Sequence, residues 1–143
     1  MDKITNKVAQ VTIFFWIMKI CATTLGETAG DLMSMTMNVG YLVSSVILIS
    51  LFLISLVMQV RSQKFQPVLY WLVIVTTSTA GTTMSDYMNR TLGLGYLTGS
   101  LVLISGLAIV LALWRYAEGN LSVNNIQTTK AELFYWTAIL FSN

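Results

Sequence analysis

The sequence predicts an all-α chain, a polytopic transmembrane helical bundle of tandem two-helix repeats. Three observations predict it: a composition too apolar for its length, long stretches almost free of charge, and a polar pattern that recurs down the chain. The 143 residues are 55% hydrophobic and 10% charged, against roughly 25% charged in an ordinary globular domain. The mean hydropathy is +0.71. A chain this small has too much surface to hide so many apolar side chains from water. Lipid removes that difficulty.

A membrane-crossing helix needs about 20 mostly apolar residues. The first candidate runs from near Val8 to about Thr28, with Lys19 inside it. It lacks a small-residue cleavage site and reads as a retained span rather than a signal peptide. Val39 to Val60 carries no charge, and Leu92 to Trp114 is alike. Pro67 to Ser85 is also uncharged, and its proline stands at the entry, where a missing N–H costs little. A fifth stretch begins near Leu133 and is cut off at Asn143. Asn38-Val39-Gly40 and Gly93-Leu94-Gly95 are short breaks that set neighbouring helices antiparallel, as hairpins. Tyr116 to Lys130 is polar and reads as a linker. The expected division is 1–60 and 61–115 for two repeats, 116–131 for a cytoplasmic linker, and 132–143 for the start of a truncated third repeat.

Lys and Arg in short loops orient such a chain. Lys3 and Lys7 precede the first span, Arg61 and Lys64 lie between spans two and three, and Arg115 and Lys130 flank the linker. The other side has only Arg90. The N-terminus, the second loop and the linker are therefore expected in the cytoplasm.

The net charge of +2, with basic residues scattered, gives no reason to expect a nucleic-acid partner. Histidine is absent, which removes the commonest transition-metal ligand and the usual neutral-pH base. The single cysteine, Cys21, cannot form a disulfide within the chain. No phosphate-binding glycine loop and no nucleophile–histidine arrangement is present. No enzyme activity and no cofactor are expected.

A shift of 55 residues superposes Phe15–Val60 on Tyr70–Arg115 without a gap, and 16 of the 46 pairs are identical. They include Trp16/Trp71, Thr24/Thr79, Gly26/Gly81, Thr28/Thr83, Asp31/Asp86, Thr36/Thr91, Gly40/Gly95 and Tyr41/Tyr96. Apolar low-complexity sequence matches by chance at Leu and Ile, not at these residue types in register. A third copy opens at Tyr135-Trp136, ten residues late, so that Asn143 aligns with Thr23 and Ser78. Two spans per copy make successive copies enter the membrane in one direction, related by an axis along the membrane normal.

The stretches FFWIMKICATTLGETAGDLMSMTMNVGYL, VLYWLVIVTTSTAGTTMSDYMNRTLGLGYL and AELFYWTAILFSN resemble the tandem "repeat of unknown function" family of bacterial membrane proteins. The resemblance covers nearly the whole chain. It implies four repeats in a typical member, two spans in each, and a characteristic tryptophan, here Trp16, Trp71 and Trp136. It also implies a bacterial inner (plasma) membrane location.

Polar residues inside the apolar stretches are the candidate site. Lys19, Thr23, Glu27 and Asp31, spaced by four, form a stripe on a helix. At about 1.5 Å per residue, Asp31 is about 36 Å from Lys7 and near the outer interface, with Lys19 midway, near the bilayer centre. A lysine there costs about 2.5–3.5 kcal/mol and usually faces a bundle interior; snorkelling to the interface is the alternative. Asp31 and Asp86, with Glu27 a turn deeper and the hydroxyls of Thr24, Thr28, Thr79 and Thr83, could form an outward-facing oxygen site for a hard cation or a proton. The alternative is that the acids solvate helix ends. Gly26-x-x-x-Gly30 and Gly95-x-x-x-Gly99 have the small-residue spacing of close helix packing, and Ser45, Ser50, Ser100 and Ser105 suit the same role. Trp16, Trp71, Trp136, Tyr41 and Tyr96 are expected to anchor at the membrane boundary. Asn89-Arg90-Thr91 matches a glycosylation acceptor by coincidence. The expected function is transport or binding of a small cation or proton, or else a non-transporting membrane scaffold. The expected partners are the lipid bilayer and further repeats or a homo-oligomer.

Overall fold

A computed structural model describes residues 6–143; Lys3, used above for orientation, lies outside them. Among the described residues there are five α-helices and no strand: α1 (Ile13–Asp31), α2 (Tyr41–Arg61), α3 (Pro67–Asp86), α4 (Gly95–Glu118) and α5 (Thr129–Ser142). Two of them, α2 and α4, are long and apolar enough to cross a membrane.

Local chemistry sets the helix starts. Thr12 caps α1 by accepting from the Phe15 N–H, Pro67 opens α3, and Thr128 caps α5 by accepting from the Ala131 N–H. The first helix thus begins at Ile13 and not near Val8. Residues 6 and 7 are taken up elsewhere: the Lys7 N–H donates to the Ile126 carbonyl (3.0 Å) and the Asn6 side chain bonds both Val123 and Ile126. The fifth helix starts at Thr129, four residues before the expected Leu133.

Both α1 and α3 run on past their aspartates into one π-helical turn, Leu32–Thr36 and Tyr87–Thr91. These turns occupy equivalent places in the two copies. Each leads into a turn with two positive-φ residues, Asn38 (φ 54°) and Gly40 (φ 86°) in the first copy, Gly93 (φ 68°) and Gly95 (φ 74°) in the second. The matched glycines at 40 and 95 are therefore conformational, since a Cβ at either would meet nothing.

The packing departs from the expected hairpins. Helix α2 lies along α3, and α4 along α5, while α1 packs chiefly on α3. The second helix of each copy thus leans on the first helix of the next copy. Helices α1 and α3 run parallel: Phe15 meets Trp71, Thr23 meets Ser78, and Gly30 meets Thr83. Helix α3 is the centre, with Tyr70, Val73, Ile74, Thr77, Ser78, Thr79, Ala80 and Thr83 all buried. Helix α4 buries only Gly99 and Trp114, so its apolar surface faces outward. Helix α2 buries the stripe Ser44, Leu48, Phe52, Ser55 and Gln59, at the three-and-four spacing of one helix face.

The end of the bundle where α2 finishes and α5 starts is held by a buried ion pair. Lys7 and Glu132 form a salt bridge with side chains 8% and 0% exposed. Lys7 also donates to the Val60 carbonyl (3.0 Å), and the Gln59 amide donates to Glu132 (3.3 Å) and the Lys7 carbonyl (3.2 Å). This network ties the N-terminal segment, the end of α2 and the start of α5 together. It places Asn6 and Lys7 and the linker at the same end of the bundle.

Candidate functional site

The first helices of the two copies approach closely because α1 presents glycine. A Cβ at Gly26 would lie 2.8 Å from both the Ser78 Cβ and the Val75 carbonyl oxygen, and one at Gly30 2.7 Å from the Thr83 hydroxyl. That closeness lets the Ser78 hydroxyl donate to the Thr23 carbonyl (3.1 Å). Where α1, α3 and α5 come together, polar side chains bridge the helices. The Lys19 ammonium donates to the Asn143 side-chain oxygen (3.1 Å), and the Asn143 amide donates to the Thr77 hydroxyl (3.4 Å). The Thr77 hydroxyl in turn bonds the Ile74 carbonyl (2.7 Å).

Lys19 is half-buried and six residues from the start of α1, about 9 Å along the helix. It therefore sits three residues on the N-terminal side of the helix's middle, Ala22, because a helix counted from Lys7 begins too early. Its partner comes from another copy of the repeat, across the bundle.

The four-residue stripe is not one face. Each step of four turns a further ~40° around the helix, so the residues drift from Lys19, which faces α5, round to Glu27, which is exposed. Thr24 and Thr28 are exposed as well, and Thr28 bonds back to the Thr24 carbonyl (2.7 Å). Thr79 and Thr83 are buried between α1 and α3, but each gives its single hydroxyl proton to its own helix, at Val75 (2.7 Å) and Thr79 (2.8 Å). Asp31 and Asp86 are both half-buried, end their helices at equivalent places, and lie within electrostatic reach of each other. Arg90 pairs with Asp86 at 3.5 Å and sits over the Tyr41 ring at 5.8 Å. Among the described residues no three acidic, His or Cys side chains gather closely enough to hold a metal ion. The threonines and acids named from the sequence are thus not drawn into one oxygen cage.

The other expected roles divide. Gly26 and Gly30 face α3. Gly95 does not pack on a helix, and Gly99 faces the Asn89 side chain rather than a second backbone. Ser45 is buried at the start of α2, whereas Ser50, Ser100 and Ser105 are exposed. Trp16 is 54% exposed and Tyr96 65%, as an anchor requires, and Trp71 is half-buried. Trp136 is fully buried against Tyr70 (5.3 Å between rings) and cannot reach an interface from there. The buried Tyr70 and Tyr135 hydroxyls bond each other at 2.6 Å.

Reasoning from sequence missed Glu132, Gln59, Thr77 and the side chain of Asn143. Asn143 carried one signal, since it aligns with Thr23 and Ser78 and makes that position polar in all three copies. Glu132, an acid directly before the apolar run LFYW, carried another.

No curated protein and no solved structure matches the chain. The profile of the Repeat of Unknown Function (DUF347) matches residues 14–65 and again 69–120. The two matches fall on α1–α2 and α3–α4, and cover more than half of the chain. The chain therefore belongs to the Repeat of Unknown Function (DUF347) family, with two tandem copies of the repeat.

Proposed function

We propose that the protein is a multi-pass membrane protein that passes a proton or small cation along the line where its repeat-equivalent helices meet. The observation that carries this reading is Lys19, a cation on an apolar helix, bridged across the bundle to Asn143 and on to Thr77. Charged groups inside a membrane are expensive and tend to mark pathways. An ammonium on that line repels other cations, whereas a proton can be handed over by the amine itself, which favours the proton. Asp31 and Asp86 stand at the far end and would concentrate positive charge there. The apolar outer faces of α2 and α4 supply the lipid contact. With Arg61, Lys64, Arg115 and Lys130 at the end that holds the N-terminal segment, that end faces the cytoplasm of a bacterial inner membrane.

The test is flux into proteoliposomes. Lys19→Met and the pair Asp31→Asn with Asp86→Asn are expected to slow acidification, read by an internal pH dye, by about tenfold or more. Unchanged flux of protons and alkali cations in all of these variants refutes transport. A membrane scaffold is the second reading, favoured by Thr79 and Thr83, which spend their hydroxyls within their own helix. It predicts loss of assembly with Gly26→Leu and no flux to lose.

A further inference from the structure

The same helix joint occurs twice in the chain, and its third acceptor face is open. In the first joint α1 is the donor: Phe15 meets the Trp71 ring (5.7 Å), and Gly26 lies against the Val75 carbonyl oxygen and the Ser78 Cβ. In the second joint α3 is the donor. Tyr70, equivalent to Phe15, meets the Trp136 ring (5.3 Å), and Gly81, equivalent to Gly26, lies against the Leu140 carbonyl oxygen and the Asn143 Cβ (3.3 and 3.5 Å). Trp136, Leu140 and Asn143 are the equivalents of Trp71, Val75 and Ser78. Ring on ring, and glycine on carbonyl and Cβ, recur atom for atom.

Each joint is head-to-tail: different faces of the repeat meet, α3 uses one of each, and α1 keeps its acceptor face. The second helix follows the same rule, since α2 leans on α3 and α4 on α5. The acceptor face of α1 comprises Trp16, Ile20, Thr23, Thr24 and Thr28. Trp16 is 54% and Ile20 64% exposed, while Trp136, the equivalent of Trp16, is fully buried. Exposure of apolar groups alone would mean only lipid. Glu27 on the same face decides otherwise, because an exposed carboxylate is poorly served by acyl chains, whereas Thr23 and Thr28 already bond carbonyls of their own helix.

We infer that the Trp16–Thr28 face of α1 docks the donor face of another repeat of this type: a parallel helix carrying an aromatic residue and a glycine eleven residues apart. The joint continues an interface the chain already makes twice, so the occupant is defined by chemistry. Its ring covers Trp16, its glycine sits over the Ile20 carbonyl and Thr23, and its following helix leans on α1 beside Cys21, as Ser55 of α2 meets Thr76 of α3 (2.9 Å). This inference does not rest on transport, and holds equally for a scaffold.

The test uses the whole chain in phospholipid vesicles and a synthetic peptide of residues 12–36 as the probe. The peptide carries a benzophenone side chain in place of Phe15. Photocross-linking is expected to map to Trp16–Ile20 of the whole chain. Gly26→Leu in the peptide is expected to lower the yield by about tenfold, since the close approach is lost. The substitution is in the probe, so the folding of the chain is not at stake. Cross-links at Trp71, from a peptide displacing α1, overturn the inference. So do cross-links spread over α4, a yield indifferent to Gly26→Leu, or no cross-link at all.

Discussion

Two lysines of similar position in sequence have different fates, and the difference is their partners. Lys7 is buried against Glu132, and each of its remaining contacts is to the backbone or to Gln59. Breaking a buried pair by removing one member costs about 3–5 kcal/mol, while replacing both by apolar groups of similar size is often neutral. Glu132→Leu alone should therefore lower the thermal unfolding midpoint in detergent steeply, with Lys7 left uncompensated in a dry site. Lys7→Met added to it should restore most of the loss. Equal destabilisation by the single and the double variant would show that the pair is not what holds that end of the bundle. Lys19 is different, because it is only half-buried and its partner Asn143 is neutral. Its replacement by methionine should change stability little and act on flux instead. The pair Asp86–Arg90, 3.5 Å apart and with Arg90 exposed to solvent, should contribute little to stability.

Glycines in α1 and at the start of α4 answer to different demands, and substitution separates them. Gly26→Ala places a methyl 2.8 Å from the Ser78 Cβ and the Val75 carbonyl oxygen, so α1 and α3 must part. Forced overpacking of this kind typically costs about 1–3 kcal/mol. Gly95→Ala meets no atom but holds an L-residue at φ 74°, a conformation unfavourable by about 1–2 kcal/mol. Ser78→Gly should partly rescue Gly26→Ala in a melting experiment and leave Gly95→Ala untouched; rescue of both would refute the distinction. The same contrast explains what the sequence made readable. Apolar runs, breaks and the 55-residue register reveal helix number and the repeat, because composition and spacing carry them directly. They do not say which neighbour a helix leans on: with short links on both sides of α2, partnership with α1 or α3 looks alike. Gly95 and Gly99 have the spacing of a packing motif, yet the first serves a turn. The π-helical turns after Asp31 and Asp86 leave no mark in residue type. Lys19's bridge depends on α5 folding back to α1, a long-range contact that no local pattern encodes.

At the scale of the whole molecule, the two ends of the bundle differ, and this can be tested by labelling. One end gathers the N-terminal segment, the 62–66 loop, the linker and the Lys7–Glu132 pair. The other end gathers both π-helical turns, the two aspartates and Arg90. Helices α2 and α4, apolar and turned outward, lie between them. At about 1.5 Å per residue, the 21 residues of α2 and 24 of α4 match a hydrocarbon layer of about 30 Å. If that layer surrounds the bundle, cysteines at the two ends must be reached from opposite sides. In a Cys21→Ser background, Met37→Cys, at an exposed position between α1 and α2, should react with an impermeant maleimide added outside intact cells. Asn124→Cys in the linker and Gln63→Cys between α2 and α3 should react only after permeabilisation. The excess of Lys and Arg at the end that holds the linker and the 62–66 loop sets that direction. Labelling of all three from one side would mean that no span separates them. Reversed labelling would keep the bundle in the membrane while turning it over, and would place Asp31 and Asp86 in the cytoplasm.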